Sequence, residues 1–310
     1  MSAAVLLLAH GSPDRVDEVP EFLRNVTGGR PMPEAVVKEV QHRYSLIGRS
    51  PLRDITLRQA ELLTAQVSLP VYVGMRNWTP FVRDTIAQMS AAGVTRAITL
   101  CLAPQNSRTS VGLYRKAVED AAPPFAIDFV DDWHDHPLLA RAFAERLEPA
   151  WKRACAEAGA RLPIVFTAHS VPTRSIAEGD PYAEQARYTA EMVAMLVGSL
   201  PSDGWRFAFQ SQGMSGGEWL GPTVEATIEA LARDGHRGLF VQPIGFVCDH
   251  VEVLFDIDIM FRDFAAARGM KLWRAPSLND SPTFIAALAD IVRSRLAAEP
   301  NPSSGLVQIQ

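Results

Sequence analysis

The second half of the 310-residue chain repeats the order of short apolar runs found in the first. The run Val5-Leu6-Leu7-Leu8-Ala9 ends in His10-Gly11-Ser12-Pro13, and Val165-Phe166-Thr167-Ala168 ends in His169-Ser170-Val171-Pro172. Val71–Gly74, Gly93–Leu100 and Ile127–Val130 have counterparts in Phe207–Phe209, Gly235–Val241 and Lys271–Trp273. Between these runs, Leu57–Leu69, Thr79–Ala92, Leu138–Ala158, Tyr182–Leu200 and Pro222–Arg233 carry apolar residues at helical spacing. Pro137, Pro222 and Pro282 stand where first-turn prolines belong. Wholly apolar strands alternating with amphipathic helices need cover on both faces, which a parallel sheet flanked by helices provides. The expected fold is therefore α/β, with two similar Rossmann-like doubly wound domains. Each holds a parallel four-stranded sheet, and the active-site cleft lies between them, at the carboxyl ends of the strands.

The first domain is expected over residues 1–150, the second over 151–298, and a disordered tail over 299–310. The break falls near Pro149–Leu162, and the final helix, Pro282–Ala298, packs back on the first domain. Residues from about 14 to 52 are long for one strand-to-helix connection. Pro20–Val26 and Glu34–Ile47 read as helices around a turn at Gly28–Pro33, so the insertion is expected to overhang the cleft as a lid. It carries Tyr44 with Arg24, Arg30, Arg43 and Arg49, donors suited to carboxylates, although at least two of these arginines are expected to be solvated.

Composition excludes several functions. A net charge of −5 and a pI near 5.8, with no basic stripe, give no footprint for nucleic acid. No GxGxxG follows the first strand and no GxxxxGK[ST] occurs, which argues against nucleotide binding. The three cysteines, Cys101, Cys155 and Cys248, have no C-x-x-C spacing and fit a reducing, cytoplasmic setting. The apolar run Ala3–Ala9 is too short for a signal peptide, and no run approaches the roughly 20 residues of an integral membrane segment.

The richest chemistry lies in Gln242–Met260, QPIGFVCDHVEVLFDIDIM. An apolar strand turns at Asp249 into a helix that sets Glu252 and Asp256 at i and i+4 on one face. Two readings of these residues are open. Asp249 is a helix cap with Glu252 as its capping-box partner and Asp256 and Asp258 solvated, or the acids form a site at the strand's lip. His169, ending its own strand, is likewise either a structural cap or a working base. His134-Asp135-His136 has metal-like composition, but a loop before a proline-started helix is expected to be solvated.

FTAHSVP (residues 166–172), PIGFVCDHVE (243–252) and the segment from Gln210-Ser211-Gln212-Gly213 to Trp219-Leu220-Gly221-Pro222 together resemble the ferrochelatases, over nearly the whole chain from Ala9 to about Leu296. The resemblance implies insertion of Fe2+ into a porphyrin in haem biosynthesis. That chemistry needs a base for two pyrrole protons, weak ligands for the incoming metal and rigid walls around a stiff ring. By resemblance, His169 and Glu252 are catalytic, and with Asp256 they handle the metal. His10, Arg43, Ser50, Arg76 and Trp219 are implied around the porphyrin. The segments Arg43-Tyr44, Ser50-Pro51-Leu52 and Asn77-Trp78-Thr79-Pro80-Phe81 look most like the branch acting on coproporphyrin III. Protoporphyrin IX is the alternative. Ala9-His10-Gly11-Ser12 adds a more distant likeness to cobalt chelatases of sirohydrochlorin, and a non-catalytic tetrapyrrole carrier is the alternative outside enzymes. Two positions depart from the family: His10 stands where tyrosine is frequent, and Met260 replaces an acid beyond Glu252 and Asp256. Fe2+ enters as substrate, with no prosthetic group. Three scattered cysteines cannot supply the four thiolates of an iron–sulfur cluster. A monomer is expected.

Overall fold

Each half of the repeat folds into one sheet. The computed structural model describes residues 2–198, 200, 204–212 and 217–298; the tail expected at 299–310 lies outside them. In the first half β1 (Ala3–Ala9), β2 (Val71–Met75), β3 (Arg96–Cys101) and β4 (Ala126–Val130) pair in the order β2-β1-β3-β4. In the second, β5 (Ile164–His169), β6 (Trp205–Gln210), β7 (Gly238–Pro243) and β8 (Lys271–Arg274) pair in the order β6-β5-β7-β8. Every pairing is parallel. The chain leaves the central strand to one side and then crosses to the other, so each sheet reverses beside the carboxyl end of β1 or β5. That is where open α/β sheets hold ligands.

The helices, in chain order, are α1 (Val19–Val26), α2 (Glu34–Ile47), α3 (Leu52–Val67), α4 (Val82–Ala91), α5 (Val111–Asp120), α6 (Pro137–Ala158), α7 (Thr173–Ala177), α8 (Tyr182–Leu196), α9 (Val224–Arg233), α10 (Val251–Leu254), α11 (Arg262–Ala266) and α12 (Pro282–Ala297). Between α10 and α11, Asp256–Phe261 forms a π-helical segment. Pro137 and Pro282 do open their helices, but Pro222 precedes the cap of α9. The cap is Thr223, whose hydroxyl accepts from the Ala226 N–H at 3.1 Å. Helix α3 starts at Leu52, five residues before its expected start, because Leu52 and Thr56 are both buried in its first turns. Helix α5 escapes the periodicity reading: its charged residues outnumber the narrow buried stripe Val111, Tyr114 and Val118.

Apolar packing joins the halves. One core cluster runs from Val5 and Leu7 of β1, through Leu63 of α3 and Leu147 and Trp151 of α6, to Phe284 and Leu288 of α12 and Phe166 of β5. Separate clusters cover the outer faces: Ile86 and Met89 of α4 on the first sheet, and Ile228 and Leu231 of α9 with Ile257 and Phe261 on the second. Helix α6 runs unbroken through residues 150 and 151, with Pro149 inside it, so the expected boundary falls within a helix. The reason is its buried stripe, Leu139, Phe143, Leu147 and Trp151, which belongs to the shared core along its length. Helix α12 lies against α3 as well as α6. Arg293 donates to the Gln66 carbonyl at 2.8 Å and Gln59 to the Asn279 carbonyl at 2.7 Å.

A buried polar latch crosses between the halves just beyond β3. Gln105 donates to the Thr189 hydroxyl and the Ile244 carbonyl, both at 3.2 Å. The Ser107 hydroxyl and the Arg108 N–H both donate to the buried Asp180 carboxylate, at 3.0 and 2.9 Å, and the Tyr182 N–H reaches its other oxygen at 3.1 Å. Removing this acceptor takes the carboxylate from three donors, two of them in buried bonds. Asp180→Ala is therefore expected to lower the free energy of unfolding by about 2–3 kcal/mol, read from urea denaturation; a loss below about 0.5 kcal/mol would mean water replaces the carboxylate.

Candidate active site

The two strand-end histidines adopt the same posture. His10 follows β1 and donates its Nδ1–H to the Gly11 carbonyl at 3.0 Å; His169 closes β5 and makes the same bond to the Ser170 carbonyl. A neutral imidazole that donates from Nδ1 keeps its lone pair on Nε2. In His169 that atom lies 3.7 Å from Glu252 Oε1. In His10 it accepts from the Asn77 side-chain amide at 3.0 Å, and Phe22 of the lid helix α1 meets the ring edge-on. Gly11 makes the turn possible. It has φ +85°, and a Cβ there would lie 2.8 Å from the Trp78 nitrogen.

Glu252 is carried by the turn after β7. His250, not Asp249, caps α10, its Nδ1 accepting from the Glu252 N–H at 3.1 Å. Asp249 faces away from the helix and accepts from Ser277 at 2.7 Å and Asn279 at 2.9 Å, with Arg274 at 3.4 Å. Gln210, at the end of β6, donates to the Glu252 carbonyl at 3.0 Å. The following helix widens into the π-helical segment, whose first residue is Asp256; such widenings are frequent at functional sites. Asp256 is buried, takes a close hydrogen bond from the Ser211 hydroxyl, and lies 3.8 Å from Arg43 of α2. Asp258 is not solvated either: Arg274 grips it with two bonds at 2.7 and 2.8 Å. Met260 packs against the outer core of the second half, so the run of acids stops at Asp256.

Charges in the cleft are tuned by burial and by one another. Desolvation within the site first, and the Arg76 cation second, bring the His10 pKa down to about 4; the ring is neutral near pH 7 although it is exposed to the cleft. Burial pushes the Glu252 carboxyl up, but His169, His250, His10 and Arg43 together outweigh it and hold the pKa below the usual carboxylate range. Asp256 is raised to about 6, first by burial and then by the Glu252 charge. Burial also lowers His250 and Arg76. Arg76 faces the Tyr114 ring at 5.7 Å, and among the described residues no carboxylate pairs with it.

The lid region holds α1 and α2 in a small cluster of Val19, Phe22, Leu23, Tyr44 and Trp78 that also touches Val251 at the start of α10. Tyr44 is buried and shares a hydrogen bond with Ser12 at 3.2 Å. Of the lid arginines, Arg43 reaches the second half, standing over the Phe255 ring at 5.0 Å. Arg24 is exposed, Arg30 turns back to the Thr27 carbonyl and Arg49 pairs with Asp54. Ser50 is buried just before α3, its hydroxyl oxygen accepting from the Leu52 N–H at 3.5 Å. Trp219 is half-buried, its backbone bridged to Pro172 beside His169. His134 and His136 are half-buried, contrary to the solvated expectation. His134 pairs with Asp132 at 3.0 Å, and His136 caps α6 and meets Asp290 at 3.2 Å.

The structure thus brings His10, His169, Glu252, Asp256, Arg43 and Arg76 around one cleft and adds Asn77, His250 and Ser211. All three lie inside the segments that carry the family resemblance, but only the tertiary fold aims their side chains at the site. An imidazole lone pair and a carboxylate oxygen 3.7 Å apart lie within the span of two metal–ligand bonds of about 2.1 Å each, and the same atoms can accept protons. The His10 pKa sets a pH dependence. Between its unfolded value of 6.5 and its folded value of about 4, the unfolded chain binds more protons, so this residue makes stability rise with pH across that window. Arg76→Gln removes a repelling cation and is expected to move the His10 midpoint upward in an NMR titration; an unchanged midpoint would show that the two side chains do not couple.

Three comparisons bear on this site. The family model described as ferrochelatase matches residues 2–296. A ferrochelatase from Acidobacterium capsulatum is 54% identical, over 95% of this chain and 94% of its own. A coproporphyrin III ferrochelatase from Nocardia farcinica is 36% identical, over 96% and 91%. Among solved structures, the sirohydrochlorin chelatase SirB from Bacillus subtilis subspecies spizizenii, in complex with cobalt, shares the fold. It aligns with a TM-score of 0.58 at 13% identity, over 95% of each chain.

Proposed function

Because this chain belongs to the ferrochelatase family and is therefore a lyase that inserts a metal into a porphyrin, we propose that His169 and Glu252 carry the reaction and that coproporphyrin III is the substrate. The facing pair of the His169 lone pair, at the end of β5, and the Glu252 carboxylate, on α10, 3.7 Å apart, carries the first part. Fe2+ is the second substrate, and it sits between these two atoms before transfer. One imidazole and one carboxylate hold a divalent ion weakly enough to release it. As the pyrrole nitrogens take the metal, two N–H protons must leave, and the two side chains that have just lost the ion are the bases nearest to hand. Two ligands released and two protons accepted balance the step. Asp256, one turn further along, takes charge or protons onward; its pKa of about 6 suits exchange near neutrality. His10 faces the ring from the first half, with its Nε2 held by Asn77.

The substrate assignment rests on charge. Coproporphyrin III carries four propionates where protoporphyrin IX carries two. Arg76 lies in the cleft wall without a carboxylate partner among the described residues, and a buried cation in that state is stabilised by an anionic ligand. Arg43, which pairs with Glu39 at 3.0 Å and lies 3.8 Å from Asp256, is a second cation near the site. The likeness to the Nocardia farcinica enzyme supports the same choice.

Anaerobic Fe2+ insertion, followed by absorbance with each porphyrin, tests both parts. His169→Ala and Glu252→Gln are each expected to lower kcat by about a hundredfold or more. Arg76→Gln is expected to raise KM for coproporphyrin more than for protoporphyrin. Equal or faster turnover of protoporphyrin IX would overturn the substrate assignment. Full activity in Glu252→Gln would overturn the pair.

A further inference from the structure

Close to the turn that carries Glu252 stands Asn279, between β8 and α12. It adopts the left-handed region with φ +48°, which a non-glycine residue occupies at some cost and which asparagine tolerates better than most. All four of its polar groups are engaged. Its side-chain amide donates to Asp249 Oδ2 at 2.9 Å, while its side-chain carbonyl accepts from the Asp249 N–H, also at 2.9 Å. The backbone N–H donates to the Val247 carbonyl at 2.9 Å, and the backbone carbonyl accepts from the buried Gln59 of α3 at 2.7 Å.

These bonds fix the segment that aims Glu252. Val247 and Asp249 are gripped at three points, His250 follows at once, and its ring caps the helix on which Glu252 stands. The two-point exchange with Asp249 leaves its carboxylate neither free to cap α10 nor free to turn toward the cleft and compete for the incoming cation. Ser277 and Arg274 complete the hold on that carboxylate. Through Gln59, the grip extends to a helix of the other half. We infer that Asn279 is a positioning residue for metal transfer: it clasps the turn at Asp249 so that Glu252 faces His169, and it ties that turn to the first half of the chain. The inference rests on Glu252 being a working group.

Asn279→Gly isolates the clasp. Glycine accepts the positive φ without strain, the backbone bonds to Val247 and Gln59 persist, and only the side-chain exchange with Asp249 is lost. The expected result is a fall in kcat of about tenfold or more, since small misplacements of reacting groups cost that much. KM for the porphyrin and its binding, read by fluorescence quenching, should stay within about twofold, because no residue of the porphyrin wall has changed. A residue serving stability alone would lower the melting temperature and leave kcat of the folded enzyme intact. Asn279→Asp gives a second test, setting two carboxylates against each other. Adding Asp249→Asn to that variant restores one donor and one acceptor and should recover part of the lost kcat, a rescue the inference requires even where the glycine variant folds poorly. Wild-type kcat in Asn279→Gly, or no recovery in the double variant, overturns the inference. Glu252→Gln run alongside separates the two readings: if it keeps full activity, the proposed function fails; if it is inactive while Asn279→Gly is not, only the positioning role fails.

Discussion

Parallel pairing is the constraint from which the site follows. In a parallel sheet every strand presents its carboxyl end to the same edge, so one sheet gathers the residues after β1, β2 and β3 at a single rim. The repeat supplies a second sheet of the same order, and the shared core fixes how the two rims meet. Leu63, Leu147, Trp151, Phe284 and Phe166 belong to one apolar cluster, so the halves cannot separate without exposing it to water. The buried bonds from Gln105, Ser107 and Arg108 add direction to that adhesion, because hydrogen bonds have angular preferences that apolar contact lacks. The floor of the cleft is therefore rigid. The lid, seated by a cluster of five buried residues, is its lighter wall.

Within that frame the side chains are tuned toward opposite protonation states. Enclosure favours the neutral form of every titratable group. His10 follows that tendency, and its ring is a neutral wall residue. Glu252 resists it, because four groups that are cationic or can become so surround it. Asp256 lies between these extremes, enclosed but next to a negative neighbour.

Much of this was legible in the sequence. Strand ends marked by His10 and His169 announced the rims, because a wholly apolar run that stops at an ionisable residue has few other places to stop. The repeat announced two sheets. Less legible were the features that depend on distant partners. Asp249 looks like a helix cap, and locally it is as good a candidate as His250; Ser277 and Asn279, far along the chain, draw it away. The π-helical widening at Asp256–Phe261 has no periodic signature in six residues. Pro222 lies outside the helix it seemed to open.

The last helix has a consequence for how the chain is made. Helix α12 (Pro282–Ala297) packs on α3 (Leu52–Val67) and donates from Arg293 to the Gln66 carbonyl. The N-terminal half therefore lacks one of its own walls until Pro282–Ala297 has left the ribosome. Domains generally fold as units, amino-terminal first, during synthesis, but here the first sheet waits with the apolar side of α3 uncovered, and contacts this distant in sequence form slowly. Docking of α12 thus completes the first half, and the Gln59–Asn279 bond beside it ties down the turn at Asp249.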